Sequence, residues 1–531
     1  MARSAKKETR ISLETVLWNC RVALRNVGST EKNRDAVISL AFLKFAGDKF
    51  EKRRAELAAE YPDVPASLLE KASFYNAVNV FYLKETARWS YLVRNAASDG
   101  IAVMIDRAMA DIEAGNPPLK GALPLNLFAS LGASRSQIKD LIDNVNQIDE
   151  SRFQEEDLIG RVYEYFLQAY AASGTKVDGE FYTPACAVKL IAELIEPYSG
   201  VVYDPCCGSG GMFVQSVKFV ERHNGTRRQV SIIGQESKAD TWRLCKMNLA
   251  IRGIAHNLGE TNASTFLNDL HRDRKVDFIM ANPPFNLKNW RNEDELTDDA
   301  RFSGYPVMPP VSNANYAWIL HILSKLDVTH GIAGFLLANG ALNAGDAEAV
   351  LRKEIIERDR VEAVIVLPRD MFYTTDISVT LWILNMNKKA GTVNGVRTRD
   401  RRNEVLFMDL RRWDQNLEEI VIDKNKKKKK TVLTDAQIAD VKRIYRSWRD
   451  EGGGYADAPE LCKSATLDEI RAKGYSLAPS KYIAFIDRDL EIDYPAEMRR
   501  IQQEMREVLE AEKRSQAMLE AAFRGIGYGI G

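Results

Sequence analysis

The 531-residue chain predicts an α/β fold: a helical N-terminal region, a mostly parallel sheet with an antiparallel edge strand, and a helical C-terminal tail. Three observations carry that expectation. Up to about residue 150, apolar residues recur at helical spacing. From about 151, short strand-like runs alternate with helix-like segments, the pattern of a parallel sheet with crossover helices. After Pro495, a long, highly charged segment keeps one apolar stripe. The expected divisions are 1–150, 151–450 and 451–531.

In the first region Leu13, Val16, Leu17, Cys20 and Leu24 mark one helix face. "RDAVISLAFLKFAGDKFEKRR" is apolar nearly all round and then charged, as a core helix leaving a bundle is. "GNPPLKGALPLN" interrupts the helices. In the second region "FYTPACAVKLIAELI" opens a helix, with Thr183 expected as N-cap, Pro184 at the first helical position, and Val188, Ile191, Leu194 and Ile195 as its buried stripe. The strand-like runs are "GVVYD", "SIIGQE", "VDFIMA", "AGFLLAN", "VEAVIVLP" and "SVTLWILNMN". About ten residues join the last two, which suggests an antiparallel edge hairpin. "DKNKKKKK" breaks the pattern, and the run Lys426–Lys430 reads either as a solvated loop or as a phosphate-contacting one. "EGGGYADAPE" reads as a flexible linker, and the final stripe is Met498, Ile501, Met505 and Val508.

Lys+Arg and Asp+Glu both number 74, so the net charge is zero. A protein gripping DNA alone is more often basic, so a nucleic-acid substrate implies a partner that supplies part of the grip. The start lacks a signal peptide's apolar core, and no apolar run approaches the roughly 18 residues of a membrane span. Six scattered cysteines, two of them adjacent, fit a reducing cytoplasm. Without C-x-x-C pairs or clustered histidines, no metal site is expected.

Three segments carry chemistry. "VVYDPCCGSGGMF" sets a glycine loop between a strand and a helix, where Gly208, Ser209, Gly210 and Gly211 let backbone approach a ligand. The loop is neither a P-loop nor G-x-G-x-x-G, and by itself it also reads as a tight structural turn. Asp204, at the strand end, is placed to accept from a cationic amine. Glu236 ends the next strand, where an acid can hold both ribose hydroxyls of a nucleoside cofactor. "VDFIMANPPF" stops an apolar run at Asn282, and Pro283 and Pro284 then stiffen the backbone before Phe285.

In that order the three segments resemble an S-adenosyl-L-methionine-dependent methyltransferase acting on adenine N6 in DNA, with a Rossmann-like catalytic domain. The resemblance implies that the Asn282 carboxamide oxygen and the Pro283 carbonyl accept the two amine protons. The lone pair is thereby drawn out of conjugation, and Phe285 stacks on the flipped base. "DLIGRVYEYFL" and "GEFYTPACAVKL" narrow the likeness to the methylation (M) subunit of type I restriction–modification systems. That likeness implies that Glu180, Phe181, Tyr182, Thr183, Pro184 and Ala185 fold over the cofactor's methionine end. "NVGSTEKNRDAVISLAFLKFAGDKFEKRR" resembles the family's helical N-terminal domain, and "GYSLAPSKYI" with the last helix resembles its C-terminal end. Where the family often carries Gly-Asp/Asn-Thr-Leu against the cofactor adenine, this chain has "NASTFLNDL", leaving Thr265 or Asp269 as alternatives. Phe372 and Tyr373 read either as base-pocket aromatics or as core. The implied partners are double-stranded DNA, a specificity subunit, a second M subunit and a restriction endonuclease subunit, with no membrane. The rival functions are methylation of a protein glutamine and a catalytically silent DNA-binding scaffold.

Overall fold

The computed structural model describes residues 12–149, 153, 158–173, 183–372, 376–423, 426–486 and 494–525. Glu180, Phe181, Tyr182 and Tyr373 lie outside them. The chain forms two compact units, 1–483 and 484–531.

The N-terminal region is helical, as the spacing predicts. Leu13–Ala23 buries Leu13, Val16, Leu17 and Cys20, and Ser12 caps it by accepting from the Thr15 amide. Thr30–Glu60 is the central helix; every residue from Ala36 to Gly47 is buried, which explains its apolar composition on all sides. Ile101–Gly115 and Arg135–Asn146 complete the bundle, the latter through a full capping box between Ser134 and Gln137. The helix Leu158–Ser173 joins the same core through Leu158, Val162, Tyr163 and Phe166. So does one face of Ala239–Ile251, through Leu244, Met247, Ala250 and Ile251. The bundle therefore packs directly on the sheet domain, and Lys49 Nζ donates to the Ile251 carbonyl at 2.7 Å.

Among the described residues thirteen strands follow: β1 Gly200–Asp204, β2 Val230–Gly234, β3 His256–Asn257, β4 Phe278–Ala281, β5 Ile332–Ala338, β6 Val361–Val366, β7 Val379–Asn385, β8 Gly391–Val393, β9 Val396–Thr398, β10 Glu404–Asp409, β11 Leu417–Asp423, β12 Lys426–Thr431 and β13 Cys462–Thr466. Nine of them form one sheet in the order β13-β10-β6-β7-β5-β4-β1-β2-β3. β1 pairs in parallel with β2 on one side and β4 on the other. The chain reverses its direction of travel across the sheet between those neighbours. A crevice at such a switch point, beyond the carboxyl ends of the strands, is where open α/β sheets bind ligands.

Three expectations change. The hairpin of the last two apolar runs exists, but it is interior, because β7 lies antiparallel between β5 and β6. All seven β7 residues are buried, as an interior strand requires. The antiparallel edge strand is instead β13, paired with β10. It lies beyond the glycine-rich stretch, so the second unit begins at Ala484 rather than at 451; Cys462 and Ala465 are buried and hold this part of the chain to the sheet. The lysine run is not a loop but strand β12, paired antiparallel with β11.

In the second unit, Tyr494–Gly525 is one 32-residue helix with no buried residue. Met498, Ile501, Met505 and Val508 are exposed along it. Among the described residues, no helix is long and apolar enough to cross a membrane, and no cluster of metal-ligating side chains occurs.

Candidate active site

The carboxyl ends of β1, β2 and β4 converge at the switch point. Asp204 ends β1 with its side chain buried, and its carboxylate accepts the Cys206 amide at 3.0 Å. Burial pushes this carboxyl up to about 7. The loop then turns through Gly208 and Gly210, whose φ values are +54° and +85°. At Gly210, which starts the helix Gly211–Arg222, a Cβ would also lie 2.9 Å from Cys245 Sγ. That glycine is therefore required by the loop's own geometry. Asn248 donates to the Ser209 carbonyl at 2.8 Å and is itself fixed by Arg252.

Glu236 stands just past β2. One carboxylate oxygen accepts the Gly208 amide at 3.0 Å, and the other accepts the Lys238 amide at 2.9 Å. The acid thus ties the glycine loop to the neighbouring strand end, and each oxygen keeps acceptor capacity for a further donor. Its neighbour Gln235 is fully buried and pins the following segment through Ala263, Asn268 and Leu270. Neither of the alternatives on that segment is free. The Thr265 hydroxyl donates to the Pro205 carbonyl, and Asp269 forms a buried ion pair with Lys325.

Asn282 follows β4. Its Nδ2 donates to Thr183 Oγ1 at 2.9 Å. Its Oδ1 is buried and has no donor among the described residues. An orphaned buried acceptor costs about 1–3 kcal/mol, so its presence marks a place where a ligand donor fits. Thr183 is accordingly not the N-cap. The helix Ala185–Ile195 begins after Pro184, and the threonine hydroxyl orients Asn282 instead. The stripe Val188, Ile191, Leu194 and Ile195 is buried as expected.

Beyond Pro283 and Pro284, Phe285 is half-buried and meets Phe372 edge-on, with ring centroids 6.3 Å apart. Phe372 itself is buried. The turn is locked by Asn315, whose Oδ1 accepts the Asn286 backbone amide at 3.0 Å and whose Nδ2 donates to Asn286 Oδ1 at 2.8 Å. Asn315 has no sequence signal. Asn248 has one: it is a buried polar residue on the apolar stretch "CKMNLAI". A cavity opens among these elements, lined by Tyr163, Thr183, Ala185, Ser209, Gly211 and Asn248. It brings the upstream segment, the glycine loop and the N-terminal bundle to one place.

A Rossmann-like sheet carrying a glycine loop, an acid on the next strand and an Asn-Pro-Pro-Phe turn defines an S-adenosylmethionine-dependent amino-methyltransferase. The comparisons agree. Residues 154–489 match the N-6 DNA methylase family model, and 13–145 match the HsdM N-terminal domain. The methylase subunit of the type I restriction enzyme HindI from Haemophilus influenzae is 36% identical over 440 residues, covering 81% of this chain and 93% of that one. The MjaIX methylase subunit from Methanocaldococcus jannaschii is 31% identical over 535 residues, covering 97% and 91%. A type I methyltransferase subunit from Streptococcus thermophilus shares the fold with a TM-score of 0.70 at 23% identity, over 88% of this chain and 98% of that one.

The chain belongs to the N-6 DNA methylase family, as a methylation subunit of the type I restriction–modification kind. It is an adenine-specific DNA methyltransferase that uses S-adenosyl-L-methionine.

Proposed function

We propose that Asn282, Pro283, Pro284 and Phe285 form the base clamp, and that the cofactor lies across the glycine loop and Glu236. The observation that carries this reading is the orphaned Asn282 Oδ1, held in orientation by Thr183. S-adenosylmethionine, when bound, supplies an electrophilic methyl group on a sulfonium. The chain's own part is placement. Asn282 Oδ1 and the Pro283 carbonyl accept the N6 protons and turn the lone pair out of the ring system. Pro284 stiffens the turn, and Phe285 supplies the stacking face for an adenine extruded from double-stranded DNA. On the cofactor side, Glu236 takes the ribose hydroxyls and Asp204 faces the methionine ammonium. Gly208, Ser209, Gly210 and Gly211 carry the backbone, and Thr183, Pro184 and Ala185, with Glu180, Phe181 and Tyr182, cover the methionine end. Transfer of labelled methyl groups from the cofactor to a duplex, followed by mapping of the modified bases, tests the reading; label in protein glutamine instead of adenine would reverse it.

The working complex would contain a specificity subunit, a second copy of this chain and a restriction endonuclease subunit, in the cytoplasm. The zero net charge supports this reading, because a chain that grips DNA alone is more often basic. One solved structure with the same fold, at a TM-score of 0.56 and 20% identity, is described as showing complex assembly of the type I system.

Two predictions concern the cofactor. Glu236→Ala removes the ribose acceptors and unties Gly208, so the cofactor dissociation constant should rise about tenfold or more, the size of one lost charged hydrogen bond. Unchanged affinity by calorimetry would remove the assignment. The second is pH dependence. The Asp204 carboxyl titrates at about 7 because of burial, and an adjacent ammonium favours its ionised form. Below pH 7 binding must expel a proton, so affinity should fall about tenfold between pH 8 and pH 6. Titrations in two buffers of different ionisation enthalpy would report that proton; a pH-independent affinity would release Asp204 from the role.

A further inference from the structure

Five consecutive lysines form β12, and ion pairing explains only part of why they are tolerated. On one face Lys427 and Lys429 converge on Glu419, at 2.9 and 3.9 Å. On the other, Lys428 and Lys430 converge on Asp376, at 3.8 and 3.0 Å. On the first of these faces two lysines thus share one carboxylate, and positive charge is in excess there. Lys430 is buried, whereas Lys427 and Lys429 expose 61% and 63% of their side chains.

The hairpin is built into the site. Asp376, the partner of Lys430, precedes β7 on the β6–β7 connection that carries Phe372, and Phe372 meets Phe285. The Thr431 amide donates to the Asp370 carbonyl on the same connection at 3.0 Å. β11 runs beside the helix Leu158–Ser173, which supplies Tyr163 to the cavity. The Leu433 backbone, two residues beyond β12, approaches the Cys186 thiol, next to Ala185. The strand is thus tied to the elements that surround Asn282.

We propose that the exposed face of β12, Lys427 and Lys429, contacts DNA phosphates flanking the target adenine, and that Lys430 fixes this strand to the base-side connection. The inference rests on the proposed function and refines where that site holds its substrate. Strand periodicity places both lysines on one face, so they address neighbouring charges on one nucleic-acid strand. Glu419 is the competing anion that phosphate displaces.

The experiment uses the complex assembled with its specificity subunit and a duplex bearing its site, with dissociation constants measured across a salt series. Each lost phosphate contact lowers the slope of log affinity against log salt by about 0.9. Lys427→Gln with Lys429→Gln should therefore flatten the slope by about 1.8, leaving cofactor affinity and turnover at saturating DNA unchanged. Glu419→Gln frees both lysines and should tighten binding at low salt, a gain that misfolding cannot imitate. An unchanged slope in the double variant overturns the proposal, as does weaker binding in Glu419→Gln. Loss of subunit assembly with the slope retained also overturns it and assigns the strand to a protein partner. If the unmodified complex methylates no adenine, the functional reading fails instead, and that outcome is distinct.

Discussion

Asn282→Ala binds S-adenosylmethionine nearly as the parent does and transfers methyl groups at least about 100-fold more slowly, the scale of removing one preorganised polar contact at a reacting centre. The separation follows from the geometry. Among the described residues the side chain bonds to Thr183, while its buried Oδ1 meets no donor. Neither Glu236 nor the glycine loop leans on it; these are tied to each other through the Gly208 amide. The substitution therefore removes an acceptor from the base and leaves the cofactor cradle standing. Single-turnover transfer beside calorimetric binding, both on the assembled complex, makes the measurement. Parent-like turnover would defeat the clamp assignment.

Removal of the residues after Pro495 gives the second large effect: a folded chain that binds cofactor but neither joins a specificity subunit nor methylates DNA. The helix Tyr494–Gly525 buries none of its residues, and the stripe Met498, Ile501, Met505 and Val508 is exposed. Burying such side chains is worth roughly 1.5–3 kcal/mol each, which favours a helical partner along that face. The helix belongs to a different compact unit from the sheet and bundle, so its removal leaves the unit 1–483 whole. Co-purification with the specificity subunit and thermal melting of the truncated chain decide the matter. Unfolding would assign the stripe to the chain's own core, and retained assembly would move the docking surface elsewhere.

The positions of the candidate site residues were legible in the sequence where residue type and strand end coincide. Asp204, Glu236 and Asn282 all stand at the carboxyl ends of β1, β2 and β4, as the alternation of runs implies. Strands were missed where burial does not follow a period. β13, "CKSAT", buries Cys462 and Ala465 three residues apart, and β12 is almost wholly lysine, so neither alternates apolar with polar. The short connection from β6 predicts an edge position for β7, whereas its unbroken apolar run is that of an interior strand. Thr183 shows a different limit. A threonine before Pro-Ala reads locally as a cap, and only the fold reveals that its partner lies 99 residues downstream. Asn315 is invisible for the same reason, since its value lies in a reciprocal bond with Asn286.

The helix Leu158–Ser173 carries a consequence for modularity. It packs Leu158, Val162 and Phe166 into the N-terminal core, while Tyr163, Glu164 and Leu167 wall the cavity at the glycine loop. The lining also includes Asn248 and Arg252, and the helix Ala239–Ile251 buries Leu244 and Met247 against the same bundle. The bundle and the catalytic sheet thus have a common load path, and neither can be exchanged between relatives as a free cassette. A chimera joined between residues 145 and 158 would set an intact cavity wall against a mismatched bundle, even with every motif residue in place. Recombination that preserves activity should therefore carry both halves together.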